Sequence, residues 1–160
     1  MDEDWVAQNQ KKISSAFLLF DKEKKGTVIQ EEVPTIMRYL GVYPTEQALV
    51  KEILPEMQED EPAAFVKYGK LEEVMLRLLA SKEWEPDSED VLLQAFKTID
   101  SEDKGYIEWD TMRDLLQAKG TPFRDKECEQ FQSIARDVES GCIYYEDYVA
   151  LLAQDLNDNE

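Results

Sequence analysis

Apolar residues along this chain recur every three to four positions in short stretches broken by polar turns, the spacing of helices that bury one face. Ile13, Ala16, Phe17 and Phe20 form one such stripe, which stops at Asp21. Leu92, Ala95, Phe96 and Ile99 form a second, which stops at Asp100. The two are copies offset by 79 positions, and the copy continues downstream: Glu23 matches Glu102, Lys25 matches Lys104, Gly26 matches Gly105 and Val28 matches Ile107. Val33, Ile36 and Met37 then match Met112, Leu115 and Leu116, so the chain is an internal repeat.

Each half contains a second, weaker helical pair. Leu49, Ile53 and Met57 share a face, residues 59–64 interrupt, Phe65 and Val66 form a short extended piece, and Leu71, Val74, Met75 and Leu78 resume the helical spacing. In the second half Phe131, Ile134 and Ala135 precede a break at 139–141, followed by Ile143 and then Tyr148, Leu151 and Leu152. The pattern predicts an all-α chain of four helix-loop-helix units, with strands only as short pieces between loops. Pro86 cannot sit inside a regular helix, and Asp87 or Ser88 can cap the next one. That predicts two lobes, 1–81 and 88–160, joined by a linker at 82–87.

Residues 21–32 open with Asp, carry glycine sixth and an apolar residue eighth, and close with Glu, which is the layout of an EF-hand calcium loop. Calcium takes oxygens from the first, third, fifth, seventh and twelfth places, while the sixth turns the chain and the eighth pairs with a partner loop. The expected pairs are Val28 with Val66 and Ile107 with Ile143, one miniature sheet per lobe. The ligands are another matter. Loop one offers Asp21, Glu23, Thr27 and Glu32, but Lys25 stands fifth, where an ammonium has no lone pair to give. Loop two, 59–70, has Ala63 fifth and Lys70 twelfth. Loop three, 100–111, is the most acidic, yet Lys104 is fifth and Thr111 replaces the bidentate glutamate. Loop four, near 136–147, begins with Arg136 or with a one-residue deletion, and has Val138 third. No loop is intact, so calcium is expected to bind weakly if it binds. Lys25, Lys70 and Lys104 read either as internal counter-ions that stand in for the metal or as solvated lysines whose pairs contribute little.

Net charge narrows the function. Thirty-six acidic residues against eighteen basic ones leave the 160-residue chain at −18, a field that repels phosphate backbones and anionic lipid. Neither nucleic acid nor membrane is an expected partner. No apolar run approaches a membrane span, the acidic start lacks the features of a signal peptide, and Cys128 and Cys142 read as reduced thiols, so a cytoplasmic protein is expected. The absence of histidine removes the commonest general base and most zinc sites, and no catalytic constellation can be named. An enzyme is not expected.

With these four loops in view, the chain resembles the calmodulin superfamily over nearly its whole length. Leu40-Gly41-Val42-Tyr43-Pro44-Thr45-Glu46 is similar to that superfamily's connection between the first two hands, and Tyr145-Glu146-Asp147-Tyr148 to the end of a fourth loop. Within the superfamily the chain most resembles EF-hand subunits of the axonemal nexin-dynein regulatory complex. The strings that carry this are Glu59-Asp60-Glu61-Pro62 leading to Lys70-Leu71, Glu89-Asp90-Val91-Leu92-Leu93-Gln94-Ala95-Phe96, and Gly120-Thr121-Pro122-Phe123. Arg124 departs from the pattern, because a Ser or Thr cap is expected before the seventh helix.

The resemblance implies a structural subunit of motile cilia and flagella, in the cytoskeleton of the axoneme, that helps regulate dynein by clamping a helix of a partner subunit. An acidic surface favours a basic amphipathic helix, of the IQ type or from a coiled coil. Phe17, Phe20, Met37, Met57 and Met75 in the first lobe, and Phe96, Met112, Leu116, Phe131 and Leu152 in the second, either line the groove for such a helix or form the core. Trp5, Trp84 and Trp109 stand outside the regular stripes as further anchors, Trp84 in the linker above all. The competing readings are a calcium-responsive sensor and a motor light chain of the calmodulin type.

Overall fold

The computed structural model describes residues 2–58 and 64–157. The chain divides into two compact units, Met1–Pro86 and Asp87–Glu160. In the first, α1 (Glu3–Phe20) leads through loop one to β1 (Thr27–Ile29), a single 3-10 turn (Gln30–Glu32) and α2 (Val33–Tyr39). The second hand enters by α3 (Glu46–Ala48), a π turn (Leu49–Ile53) and α4 (Leu54–Met57), and leaves by β2 (Phe65–Lys67) and α5 (Tyr68–Ser81). The π turn has a cause in the sequence. Pro55 has no amide for the Lys51 carbonyl, and its ring crowds that carbonyl, so the turn before it widens.

The second unit repeats the plan with α6 (Glu89–Ile99), β3 (Ile107–Glu108), α7 (Trp109–Ala118), α8 (Asp125–Ala135), β4 (Cys142–Ile143) and α9 (Tyr145–Asn157). Asp2 caps α1, Thr45 caps α3 and Ser88 caps α6, each by accepting a first-turn amide. Helix α8 starts at Asp125 without a Ser or Thr cap. The Glu127 carboxylate reaches back to accept the Arg124 amide at 2.8 Å, which supplies half of a capping box from the other side.

Both loop pairs close as antiparallel two-stranded sheets, with Val28 opposite Val66 and Ile107 opposite Ile143. All four of those side chains are buried, so each sheet pins its two hands to the core of its own unit. The first core takes Ile13, Phe17, Ile36, Met37, Met57, Leu71, Val74 and Met75 almost wholly out of solvent. There α1 packs on α5 and α2, and α4 on α5. The second core is thinner: Phe96, Trp109, Met112, Ile143, Tyr145 and Val149 are buried, while Leu92, Leu93, Leu116, Phe131 and Tyr148 are only half-buried against it. In this unit α6 packs on α9 and α7 on α8.

Candidate functional site

Loops one and three share a local architecture. Asp21 lies just beyond α1, and its two carboxylate oxygens accept the amides of Lys25 at 3.0 Å and Gly26 at 2.8 Å. Asp100 does the same for Lys104 and Gly105 at 3.0 and 2.8 Å. The turn requires glycine at the sixth place, where φ is +74° in one loop and +81° in the other. Both aspartates are buried, so their charges are stabilised by fixed backbone donors.

The fifth-place lysines sit where the counter-ion reading puts them. Lys25 pairs with Glu23, and Lys104 with Glu102 at 2.7 Å, which holds the Lys104 ammonium above its ordinary value. Exposure decides what these pairs are worth. Lys25 and Glu23 are 69% and 70% exposed, and such a pair contributes about 0–1 kcal/mol. The shape of these loops therefore rests on the aspartates and their amides, with the lysines neutralising the third-place glutamates.

Loop two is described only in part. Glu59, Ala63 and the residues between them lie outside the described residues, so the carboxylates proposed to face Lys70 are not placed. Lys70 itself pairs with Glu73 on its own helix at 3.2 Å. Loop four is organised from its second residue. The Asp137 carboxylate accepts the Ser140 amide and hydroxyl at 2.8 and 2.9 Å, which draws its pKa below the carboxylate range. The Arg136 guanidinium lies against Gly141, within 3.1 Å of where a side-chain carbon would stand.

This donor set does not fit a full calcium site. Lys104 carries no lone pair, Thr111 offers one oxygen where two are needed, and Arg136 brings a positive charge to loop four. Loop one comes nearest, with Asp21 and Glu32 in place. Among the described residues, no group of three or more acidic or cysteine side chains is gathered as a metal cluster.

One residue joins two loops and was not singled out by its spacing. Tyr145, at the start of α9, donates its hydroxyl to Asp100 Oδ2 at 2.7 Å, and both partners are buried. The bond holds Asp100 below its ordinary pKa, the tyrosine hydroxyl contributing most and the Lys104 amide next. It pushes Tyr145 up to about 12. Tyr68 is also raised to about 12, chiefly by burial and then by its bond to Glu72. Because the folded values exceed the unfolded value of 10.0, both phenols stabilise the fold fully below pH 10, and that contribution fades as pH rises toward 12. Asp100 and Asp137 act in the opposite sense: their contribution is full above the ordinary carboxylate value and is lost as pH falls through their lowered values. In an alkaline titration, phenolate absorbance from these two tyrosines should therefore rise only together with loss of the near-ultraviolet circular dichroism. Ionisation of all seven tyrosines near pH 10 with the tertiary signal intact would contradict the assignment.

The groove candidates separate by unit. Phe17, Met37, Met57 and Met75 are inside the first core, and Phe20 packs half-buried against it. In this packing they are core rather than a partner surface. Trp84 is also half-buried on the first core, and its carbonyl accepts the Tyr43 amide at 2.8 Å, so it belongs to the first unit. Trp109, expected as an outlying anchor, is buried in the second core and stacks on Phe131 at 6.1 Å, because it opens α7 on the inward side. Trp5 is half-buried. Phe96 and Met112 are core, whereas Leu116, Phe131 and Leu152 keep part of their surface.

Paired hands joined by a two-stranded sheet, repeated in two units, define an EF-hand protein of the calmodulin type. Residues 89–153 match the EF-hand domain pair family. Over 152 residues the chain is 37% identical to dynein regulatory complex protein 8 of Mus musculus, covering 95% of this chain and 92% of that protein. The chain belongs to the dynein regulatory complex protein 8 family. Solved structures share its fold, among them these two. One is the Physarum polycephalum myosin II regulatory domain, with a TM-score of 0.69 at 25% identity, covering 90% of this chain and 94% of that one. The other is Mlc1p bound to IQ2 of Myo2p, a class V myosin, with a TM-score of 0.65 at 19% identity, covering 87% and 95%.

Proposed function

We propose that this chain is a non-catalytic subunit of the dynein regulatory complex in motile cilia and flagella. In this reading its second unit holds a basic amphipathic helix of a neighbouring subunit, without calcium. The observation that carries the helix-binding part is the incomplete burial of the second unit. Leu92, Leu93, Leu116, Phe131, Tyr148 and Leu152 keep apolar surface in part exposed around a smaller set of fully buried side chains than in the first unit, whose own half-buried side chains are Phe20, Leu40, Tyr68, Leu76, Leu79 and Trp84. An apolar helix face is the natural cover for such a belt. Charge supports a basic partner: nineteen acidic residues face seven basic ones in 87–160, so this unit carries twelve of the eighteen excess negative charges.

Membership of the dynein regulatory complex protein 8 family supports the axonemal setting. Mlc1p, bound to IQ2 of Myo2p, shares the fold, which supports a helix as the ligand. Calcium independence rests on the ligand chemistry of the loops. Among the described residues no helix is long and apolar enough to cross a membrane, and the charge disfavours nucleic acid.

The test is co-purification of the full chain with the other regulatory-complex subunits from axonemes, in calcium and in chelator, beside Phe131→Ala. The expected result is equal recovery in both buffers and at least tenfold weaker recovery of the variant. Recovery that depends on calcium would favour the sensor reading that Asp21 and Glu32 keep open. A variant that binds as well as the parent would move the site elsewhere.

A further inference from the structure

The two units place a tyrosine at the same point of the same scaffold and use it differently. Counted from the Val28–Val66 and Ile107–Ile143 pairs, Tyr68 and Tyr145 are in register, each two residues past the paired residue of its strand and each beside the matching phenylalanine, Phe17 or Phe96. Tyr68 bonds to Glu72, one helical turn along α5, and Glu72 also accepts the Gln10 amide at 3.1 Å. In α9 the residue one turn along is Val149, which is buried and has no acceptor. The Tyr145 hydroxyl therefore finds its acceptor across the loops, in Asp100. The rings follow the hydroxyls: Phe17 and Tyr68 meet edge to face at 72°, whereas Phe96 and Tyr145 lie parallel within 2°.

We propose that the Tyr145–Asp100 bond is a metal-free clasp, which ties the end of α6 to the start of α9 and does for loops three and four what a bound ion does in a calcium-loaded hand. The proposal rests on the calcium-independent reading above. A calcium ion would link the two ends of its own loop through the first and twelfth ligands. Thr111 cannot complete that link, but Asp100 is already fixed by three donors: the Lys104 amide, the Gly105 amide and the Tyr145 hydroxyl. The last of these comes from the other hand, so the clasp crosses between hands where an ion would act within one. Its ends lie on the two helices that form the main helix contact of the second unit. Asp100 is also withdrawn from any ion, since its Oδ2 already accepts two hydrogens.

Thermal unfolding and residue-resolved amide exchange of the full chain test this with Tyr145→Phe, Asp100→Asn, the double variant, and Tyr68→Phe as control. Tyr145→Phe removes one oxygen from a packed ring, and a bond to a charged acceptor is lost. The second unit's midpoint should fall by about 5–10 °C. Exchange at Lys104 and Gly105 should quicken at least tenfold, with the first unit unchanged. In Asp100→Asn the further loss from Tyr145→Phe should be much smaller than in the parent, because the partner is already altered. Tyr68→Phe should leave the second unit's midpoint and exchange where they were. Additive losses, or a Tyr145→Phe midpoint within about 1 °C of the parent, would overturn the clasp while leaving calcium independence standing. A parent chain whose second unit is raised by micromolar calcium would overturn the calcium-independent reading and the clasp's role as substitute together.

Discussion

Phe17→Ala destabilises the first unit by about 3–5 kcal/mol, a large part of what holds a small domain folded. Phe17 is 1% exposed, meets Tyr68 edge to face at 5.1 Å, and sits where α1 packs on α5 and α2, so the surrounding helices cannot collapse to fill the space. Because each unit has its own apolar core, the loss should be confined to the first unit. Calorimetry should show one transition moving down while the other stays, and Trp84 fluorescence should follow the one that moves, since Trp84 packs on the first core. A joint shift of both transitions would mean that the units stabilise one another. Phe131→Ala should cost the second unit much less, because that ring is only half-buried to begin with.

The second large effect separates loops one and three, which look alike locally. Lys25→Asp should create a calcium site with a dissociation constant of about 10⁻⁴ M or tighter, whereas Lys104→Asp should not. Both substitutions replace an ammonium with a carboxylate at the fifth place, and both loops already hold their first-place aspartate in the turn. The difference is the twelfth place. Glu32 can give two oxygens, while Thr111 gives one. Asp100 is further engaged by Tyr145, and Asp21 accepts only from its own loop among the bonds described. Isothermal titration of the two variants reads the result directly. Equal binding would show that the terminal glutamate is dispensable here, and silence from both would show that loop one cannot reshape around an ion.

The frame of the fold was legible because it depends on spacing. The repeat between Asp21 and Asp100, the glycines at the sixth places and the apolar eighth places specify helix, turn and strand locally, and the two sheets formed with the expected pairs. The fate of apolar residues was less legible, since Met75 and Phe131 occupy similar stripes and only packing decides that one is wholly buried and the other is not. Trp109 shows the same limit: it begins a helix, where a periodic stripe has no earlier turn to reveal its facing side. The start of α8 falls at the expected place although no Ser or Thr stands there, with Arg124 at the cap position and the Glu127 carboxylate, three residues downstream, accepting its amide. A signal for Tyr145 was present in the repeat of a tyrosine two places after Val66 and after Ile143, but its partner was not.

Local order, the number of hands and the damage to their ligand sets are consequences of residue type and interval, so the amino-acid string alone determined them. How many side chains each core buries fully and which acceptor each tyrosine takes were settled by tertiary structure. Tyr68 and Tyr145 are the same residue in the same local setting, and the choice between Glu72 and Asp100 turns on a carboxylate or a valine one helical turn away and on a loop brought near by the sheet. A hydrogen bond between residues 45 positions apart has no period to betray it. It exists only once the chain has folded and a buried hydroxyl must find a partner.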